Sequence, residues 1–129
     1  MEPKMYTIVS LEALKAMNGV RGKFGTQCGH AILHAWWDAS TRFPEIANAY
    51  RDSGFARKIT VSVPEEAGLR ELEEHFRPIC GVSLVTDRGL TVFKNEDGSP
   101  RPTTTCLGIG PVTDEMIGDH WLKDAKLLT

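Results

Sequence analysis

Hydrophobic and polar positions recur along the chain with two different periods. Ile59, Val61 and Val63 alternate with Thr60 and Ser62, the period of two expected of a β-strand. Met5 to Val9 and Val82 to Val85 are short apolar runs that predict buried strands, and Thr104 to Ile109 predicts another. Between the first two strands the period lengthens. Phe24, Cys28, Ala31, Ile32, Ala35, Trp36 and Ala39 fall at i, i+3/i+4 and i+7, which predicts a helix over 24–39 with one buried face. Phe43 to Tyr50 predicts a shorter helix with Pro44 in its first turn and Gly54 beyond its end. Pro64 opens a third helix, buried along Leu69, Leu72 and Phe76 and closed by Pro78. Pro111-Val112-Thr113 leads into a last short helix capped by Thr113. The stretch after Val9 reads as turns, with Asn18-Gly19 and Gly22 as breakers, and Leu90 to Phe93 reads as a further strand.

Strands alternating with helices predict an α/β layer fold with a largely parallel sheet. Two strand-like runs between Thr86 and Thr104 have no helix between them. A hairpin there would make one strand antiparallel and the sheet mixed. No repeat, low-complexity tract or linker divides the 129 residues, so one domain over 1–129 is expected.

Composition changes the picture in three places. No apolar run approaches the roughly 18 to 20 residues of a membrane span, and Met1 to Ser10 lacks the apolar stretch of a signal peptide. The three cysteines, Cys28, Cys80 and Cys106, include no CxxC pair, which argues against a disulfide framework and for a reducing cytoplasm. The net charge of −2 excludes a wholly basic surface, yet residues 1–30 carry a net +2 from Lys4, Lys15, Arg21 and Lys23 against Glu2 and Glu12. Nucleic acid bound at one basic spot remains compatible with that distribution.

Beside the apolar stripe of the first long helix runs a second one, Lys23, Gln27, His30, His34 and Trp37, about 100° further round the axis. Such an edge lines a groove at a sheet rim, or is simply a half-exposed face. Lys23 and Arg21 near the helix start, with main-chain N–H groups at Gly25 and Thr26, favour a bound anion such as phosphate. The Gly22-Lys23 pair is not a Walker A loop, because Met17 and Phe24 stand where that motif needs Gly and Ser or Thr. Gly108-Ile109-Gly110 is not a dinucleotide fingerprint, because Thr113 stands at its third glycine. His30 and His34 have the spacing of two zinc ligands, but a third would have to come from distant Cys80, Cys106 or Asp87, and no metal is assigned. Cys28 lies on the apolar stripe and reads as a packed thiol. Asp87, at the end of the Val82–Val85 strand, lies on the edge where α/β sheets bind ligands. It also fits a plain turn before Gly89, and Thr105 fits an ordinary strand.

Taken together, three segments resemble the type 2 peptidyl-tRNA hydrolases, the archaeal and eukaryotic class of that enzyme. Gly22-Lys23-Phe24-Gly25-Thr26-Gln27-Cys28-Gly29-His30-Ala31 is similar to that family's G-K-x-x-x-Q-C-x-H-A helix start. Asp87-Arg88-Gly89-Leu90-Thr91 is similar to its D-x-G-x-T turn, and Thr105-Cys106-Leu107-Gly108-Ile109-Gly110-Pro111 to its T-V-L-G-I-G-P strand. Arg57 to Val61 and Leu122 to Leu128 match in the family's order, so the resemblance covers nearly the whole chain. It implies a three-layer α/β/α fold with a four-stranded mixed sheet, a homodimer, and hydrolysis of the ester joining a peptide to the 3′ end of tRNA, without metal or organic cofactor. Carried over, the functional positions are Lys23, Gln27 and Asp87 as the catalytic set, with His30, Thr91 and Thr105 in support; Arg21 joins them as a substrate contact. Gly25-Thr26 replaces the family's usual small pair, Leu11-Glu12-Ala13-Leu14 lacks its Arg-x-Asp-Leu, Trp36-Trp37 is unusual, and the loop from Lys94 to Pro102 is longer.

The chemistry expected of that set is an activated water and donors for a developing oxyanion. Asp87 would hold or deprotonate the water, Lys23 would stabilise negative charge, and Gln27 would orient the ester. A carboxylate paired with Lys23 is a weak base, which shifts Asp87 towards positioning. Two competing functions fit the same residues: a tRNA-binding or interaction module without catalysis, and a hydrolase of another ester or amide.

Overall fold

The computed structural model describes residues 2–129, which leaves Met1 outside the described residues. The chain runs β1 (Lys4–Ser10), α1 (Leu11–Met17), α2 (Arg21–Arg42), α3 (Pro44–Asp52), β2 (Lys58–Val63), α4 (Glu66–Phe76), β3 (Val82–Asp87), β4 (Thr103–Val112) and α5 (Asp114–Ile117), followed by a 3₁₀ turn at Trp121–Asp124. The four strands form one mixed sheet in the order β2-β1-β4-β3. Only β1 and β2 are parallel, while β4 lies antiparallel to both β1 and β3. The sheet is therefore mixed, as the sequence predicts, but it is not largely parallel. With no helix between β3 and β4, the chain can return only in the opposite direction.

Alternation sorts the side chains of β1 onto two cores. Tyr6 and Ile8 pack with Val61, Val63, Leu69, Leu72 and Phe76 beneath α4. Met5 packs with Ala35 and Tyr50 beneath α2 and α3, and Val9 with Ala31 and Cys106. Helices thus cover both faces of the sheet.

Ala31, Ala35 and Ala39 are fully buried on α2, while the larger Ile32 and Trp36 are only partly covered. Small residues let α2 lie very close to the sheet. A Cβ at Gly108 would collide with the Ala31 carbonyl, and one at Gly81 with the Ala35 carbonyl, so both positions need glycine for space.

Four expectations need correction. The stretch after β1 holds α1, which Ser10 caps by accepting the Ala13 N–H (3.2 Å) and which is buried only through Ala13 and Met17. So short an element carries too few apolar positions to show a period. The next helix begins at Arg21, three residues before Phe24, so Gly22 lies within its first turn and breaks nothing. Leu90 to Phe93 is irregular, with only an isolated bridge between Lys94 and Pro100 beyond it. The third helix also starts at Glu66, two residues after Pro64.

The two sheet edges differ. The Leu128 N–H donates to the Thr60 carbonyl (2.9 Å), so the C-terminal tail lies along β2. At the other edge β3 pairs only with β4 among the described residues.

Candidate functional site

The C-terminal end of β3 delivers Asp87 beside the first turns of α2. The Asp87 carboxylate is only 8% exposed and forms an ion pair with Lys23 at 2.6 Å. Its Oδ2 also accepts the Gln27 side-chain amide (3.1 Å), and its Oδ1 accepts the Gly89 main-chain N–H (2.7 Å). Gly89 sits at φ +79°, where a Cβ would strike the Arg101 backbone, so this tight return after Asp87 requires glycine. Lys23 donates a second bond, to the Thr91 hydroxyl (3.1 Å), and lies 6.0 Å from the ring centroid of buried Phe93.

Thr105 completes the network through an irregularity in the sheet. Val85 pairs with Cys106 and Thr86 with Thr104, so Thr105 is an extra residue on β4, a β-bulge. The bulge turns its fully buried hydroxyl towards Gln27, whose Oε1 accepts it at 2.6 Å. That bond fixes the amide so that its NH₂ faces Asp87. Thr105 is therefore not an ordinary strand residue, and the single-residue slip that aims it depends on pairing with β3.

Burial pulls the Asp87 carboxyl upward, but Lys23, the Gly89 N–H and the Gln27 amide outweigh it and hold its pKa below the usual carboxylate value. Asp87 is thus a carboxylate at neutral pH, with both lone pairs of Oδ2 engaged and one on Oδ1 remaining. Lys23 uses two of its three ammonium protons, on Asp87 and Thr91, and keeps one for a ligand. These groups line an open cleft of about 320 Å³ with His30, Val85, Thr86, Arg88 and Leu90.

The structure thus brings together Lys23, Gln27, Asp87, Thr91 and Thr105. His30 is exposed at the cleft wall, its ring 5.5 Å from that of His34, and makes no hydrogen bond to the network. Arg21 opens α2 outside the cleft. The anion-binding N–H groups assigned to Gly25 and Thr26 lie inside α2 instead; the groups of its first turn belong to Arg21, Gly22 and Lys23. Among the described residues no group of three His, Cys, Asp or Glu side chains is placed to hold a metal ion. Cys28 is half-buried in an apolar cluster and its thiol is pushed up by burial, in keeping with a packed role. Sequence reasoning missed Phe93, the floor under Lys23 and Arg101; its place directly after the Asp87–Thr91 turn was the available signal.

A larger cavity, about 610 Å³, lies on the opposite flank of α2 between Cys28, Ile32, Trp36, Tyr50 and Thr60. It is mainly apolar and holds no comparable knot of ionised and hydrogen-bonding groups.

The sequence pattern of the family described as Peptidyl-tRNA hydrolase PTH2 matches residues 4–128. The chain is 34% identical over 100 residues to a protein named "Peptidyl-tRNA hydrolase 2, mitochondrial" from Mus musculus, covering 77% of this chain and 51% of that protein. It is 30% identical over 98 residues to "Peptidyl-tRNA hydrolase" of Thermococcus onnurineus, covering 75% and 77%. The protein of the same name from Methanocaldococcus jannaschii is 33% identical over 109 residues, covering 84% and 88%. The chain spans about half the length of the mammalian relatives it matches.

Proposed function

The chain belongs to the peptidyl-tRNA hydrolase PTH2 family, and from that membership we propose that it hydrolyses the ester between a peptide and the 3′ end of tRNA. The observation that supports this most is the shielded Lys23–Asp87 pair locked to Gln27, Thr91 and Thr105 in one cleft.

In this reading the ester carbonyl enters the cleft between Lys23 and Gln27. A water held on Asp87 Oδ1 adds to the carbonyl carbon, and the spare protons of Lys23 and the Gln27 amide donate to the oxygen as it becomes anionic. The tetrahedral intermediate then expels the ribose 3′ oxygen, which takes up the proton released by the attacking water as free tRNA leaves. Because its pKa is lowered, Asp87 orients the water and anchors the Lys23 side chain more than it removes protons. Such fixed charges and dipoles cost no reorganisation during the reaction.

The same reading makes peptidyl-tRNA the partner, with His30 and Arg21 as contacts at the cleft wall and beyond it. No helix among the described residues is long and apolar enough to cross a membrane. We place the protein in the cytoplasm, a reading supported by three free cysteines, and as a homodimer, supported by the apolar cavity with Leu33 exposed at its rim. The mitochondrial location in the names of the mammalian relatives is said of those proteins alone.

Purified protein incubated with peptidyl-tRNA, with and without a chelator, tests the reading. It predicts deacylated tRNA at equal rates in both. Binding without turnover would leave a tRNA-binding module. No binding and no turnover would point to another ester or amide, and loss of activity with chelator would revive a metal at His30 and His34.

A further inference from the structure

The cleft does not end at His30. A smaller groove of about 190 Å³ continues from it, lined by His30, His34, Ser83, Leu84, Val85 and Thr86, so that the two share His30, Val85 and Thr86. Its floor is the outer edge of β3. The Gly81 carbonyl accepts the Gly110 N–H, which turns the main-chain groups of residue 81 inward towards β4. Odd-numbered residues of β3 therefore pair inward and Val82, Leu84 and Thr86 turn outward. The Val82 N–H confirms the phase, since it donates outward to the Asp38 carboxylate (3.0 Å). Leu84 and the Thr86 N–H have no such cover among the described residues. His30 and His34 line this groove with the β3 edge, and the half-exposed Trp37 continues the aromatic row from His34, their ring centroids 5.0 Å apart.

Charge divides the continuous cleft into two ends. Lys23 and Arg88 line the catalytic end, and Arg101 lies near the same Phe93 ring as Lys23, each 6.0 Å from its centroid. No Lys or Arg lines the groove beyond His30. An RNA backbone gains affinity from cations that neutralise its phosphates, so it belongs at the Lys23 end. An uncharged chain belongs at the other.

We propose that the open edge of β3 under His30, His34 and Trp37 is the subsite for the peptide of the substrate, which adds there as a short extra strand. This rests on the proposed hydrolase reading, which places the ester at Lys23 and Asp87. The C-terminal carbonyl of the peptide then sits where β3 ends, so the peptide runs parallel to β3, its N-terminal side towards Trp37. The outward groups of Leu84 and Thr86 serve about three residues of such a strand. Main-chain bonds read no side chains, so the site accepts peptides of many sequences, and the Val82–Asp38 bond stops the pairing at the far end.

The test compares three substrates on one tRNA: an N-acetyl-aminoacyl ester, an N-acetyl-tetrapeptidyl ester with the same C-terminal residue, and that tetrapeptide N-methylated at its inner amides. The proposal predicts a kcat/KM about tenfold higher for the tetrapeptide than for the single residue, the worth of two net hydrogen bonds or so. N-methylation should remove most of that gain, and Trp37→Ala should lower the ratio between long and short substrates. Equal kcat/KM for long and short peptides, or a gain that survives N-methylation, would overturn it. So would a Trp37→Ala loss of the same factor on both, which would assign the aromatic wall to the RNA. No turnover of any substrate would overturn the hydrolase reading itself, an outcome distinct from turnover without length dependence.

Discussion

The two flanks of α2 differ in a way that size alone would misjudge. The flank facing β1 and β2 holds the larger cavity, about 610 Å³ between Ile32, Trp36 and Tyr50. The flank facing β3 holds about 320 Å³, but there an ammonium, a carboxylate, an amide and two hydroxyls converge within hydrogen-bond reach. One step of about 100° around the helix separates them, from Cys28 to Gln27. On the larger side Ile32 and Trp36 pack towards Met5 and Tyr50, whereas alanines set the helix close to Gly81 and Gly108 beside the smaller one. Chemistry instead requires that polar groups be held in place, and that is done by a strand end, a glycine return and a bulge.

The contrast can be broken by substitutions on either flank. Thr105→Val removes the hydroxyl that orients Gln27 while keeping the volume, and should lower kcat about tenfold or more with KM little changed, measured on peptidyl-tRNA; an undiminished kcat would mean that the amide orientation is irrelevant. On the other flank, Ile32→Ala should cost about 2 kcal/mol of stability, the low end for a partly covered position, and leave kcat per folded molecule unchanged. Thermal unfolding and kinetics on one preparation check both halves. A kcat loss there as large as that of Thr105→Val would erase the distinction.

Much of the fold was legible because it rests on local periods. The alternation of Ile59, Val61 and Val63 and the Leu69, Leu72, Phe76 edge both place their elements correctly. Lys23, Gln27 and Asp87 were legible only in combination, since nothing local in residues 23 and 27 points to residue 87; their meeting depends on β3 ending beside α2. The bulge at Thr105 had no local signal, because it exists only in the pairing of β4 with β3. His30 shows what spacing leaves out. Its helical register puts it on the same edge as Gln27, and it lines the cleft, but its ring is exposed and outside the hydrogen-bond network. Sequence spacing gives direction around an axis and no depth.

The central claim, that Lys23 and Asp87 act as one unit in ester hydrolysis, is tested most directly by a double-mutant cycle. Turnover of peptidyl-tRNA is measured for the wild type, Lys23→Ala, Asp87→Asn and the double variant, with folding checked by thermal unfolding. Each single substitution should reduce kcat about 10²- to 10³-fold, and the double variant should lose little more than the worse single one. Near-wild-type rates in folded single variants, or losses that simply multiply in the double, would contradict it.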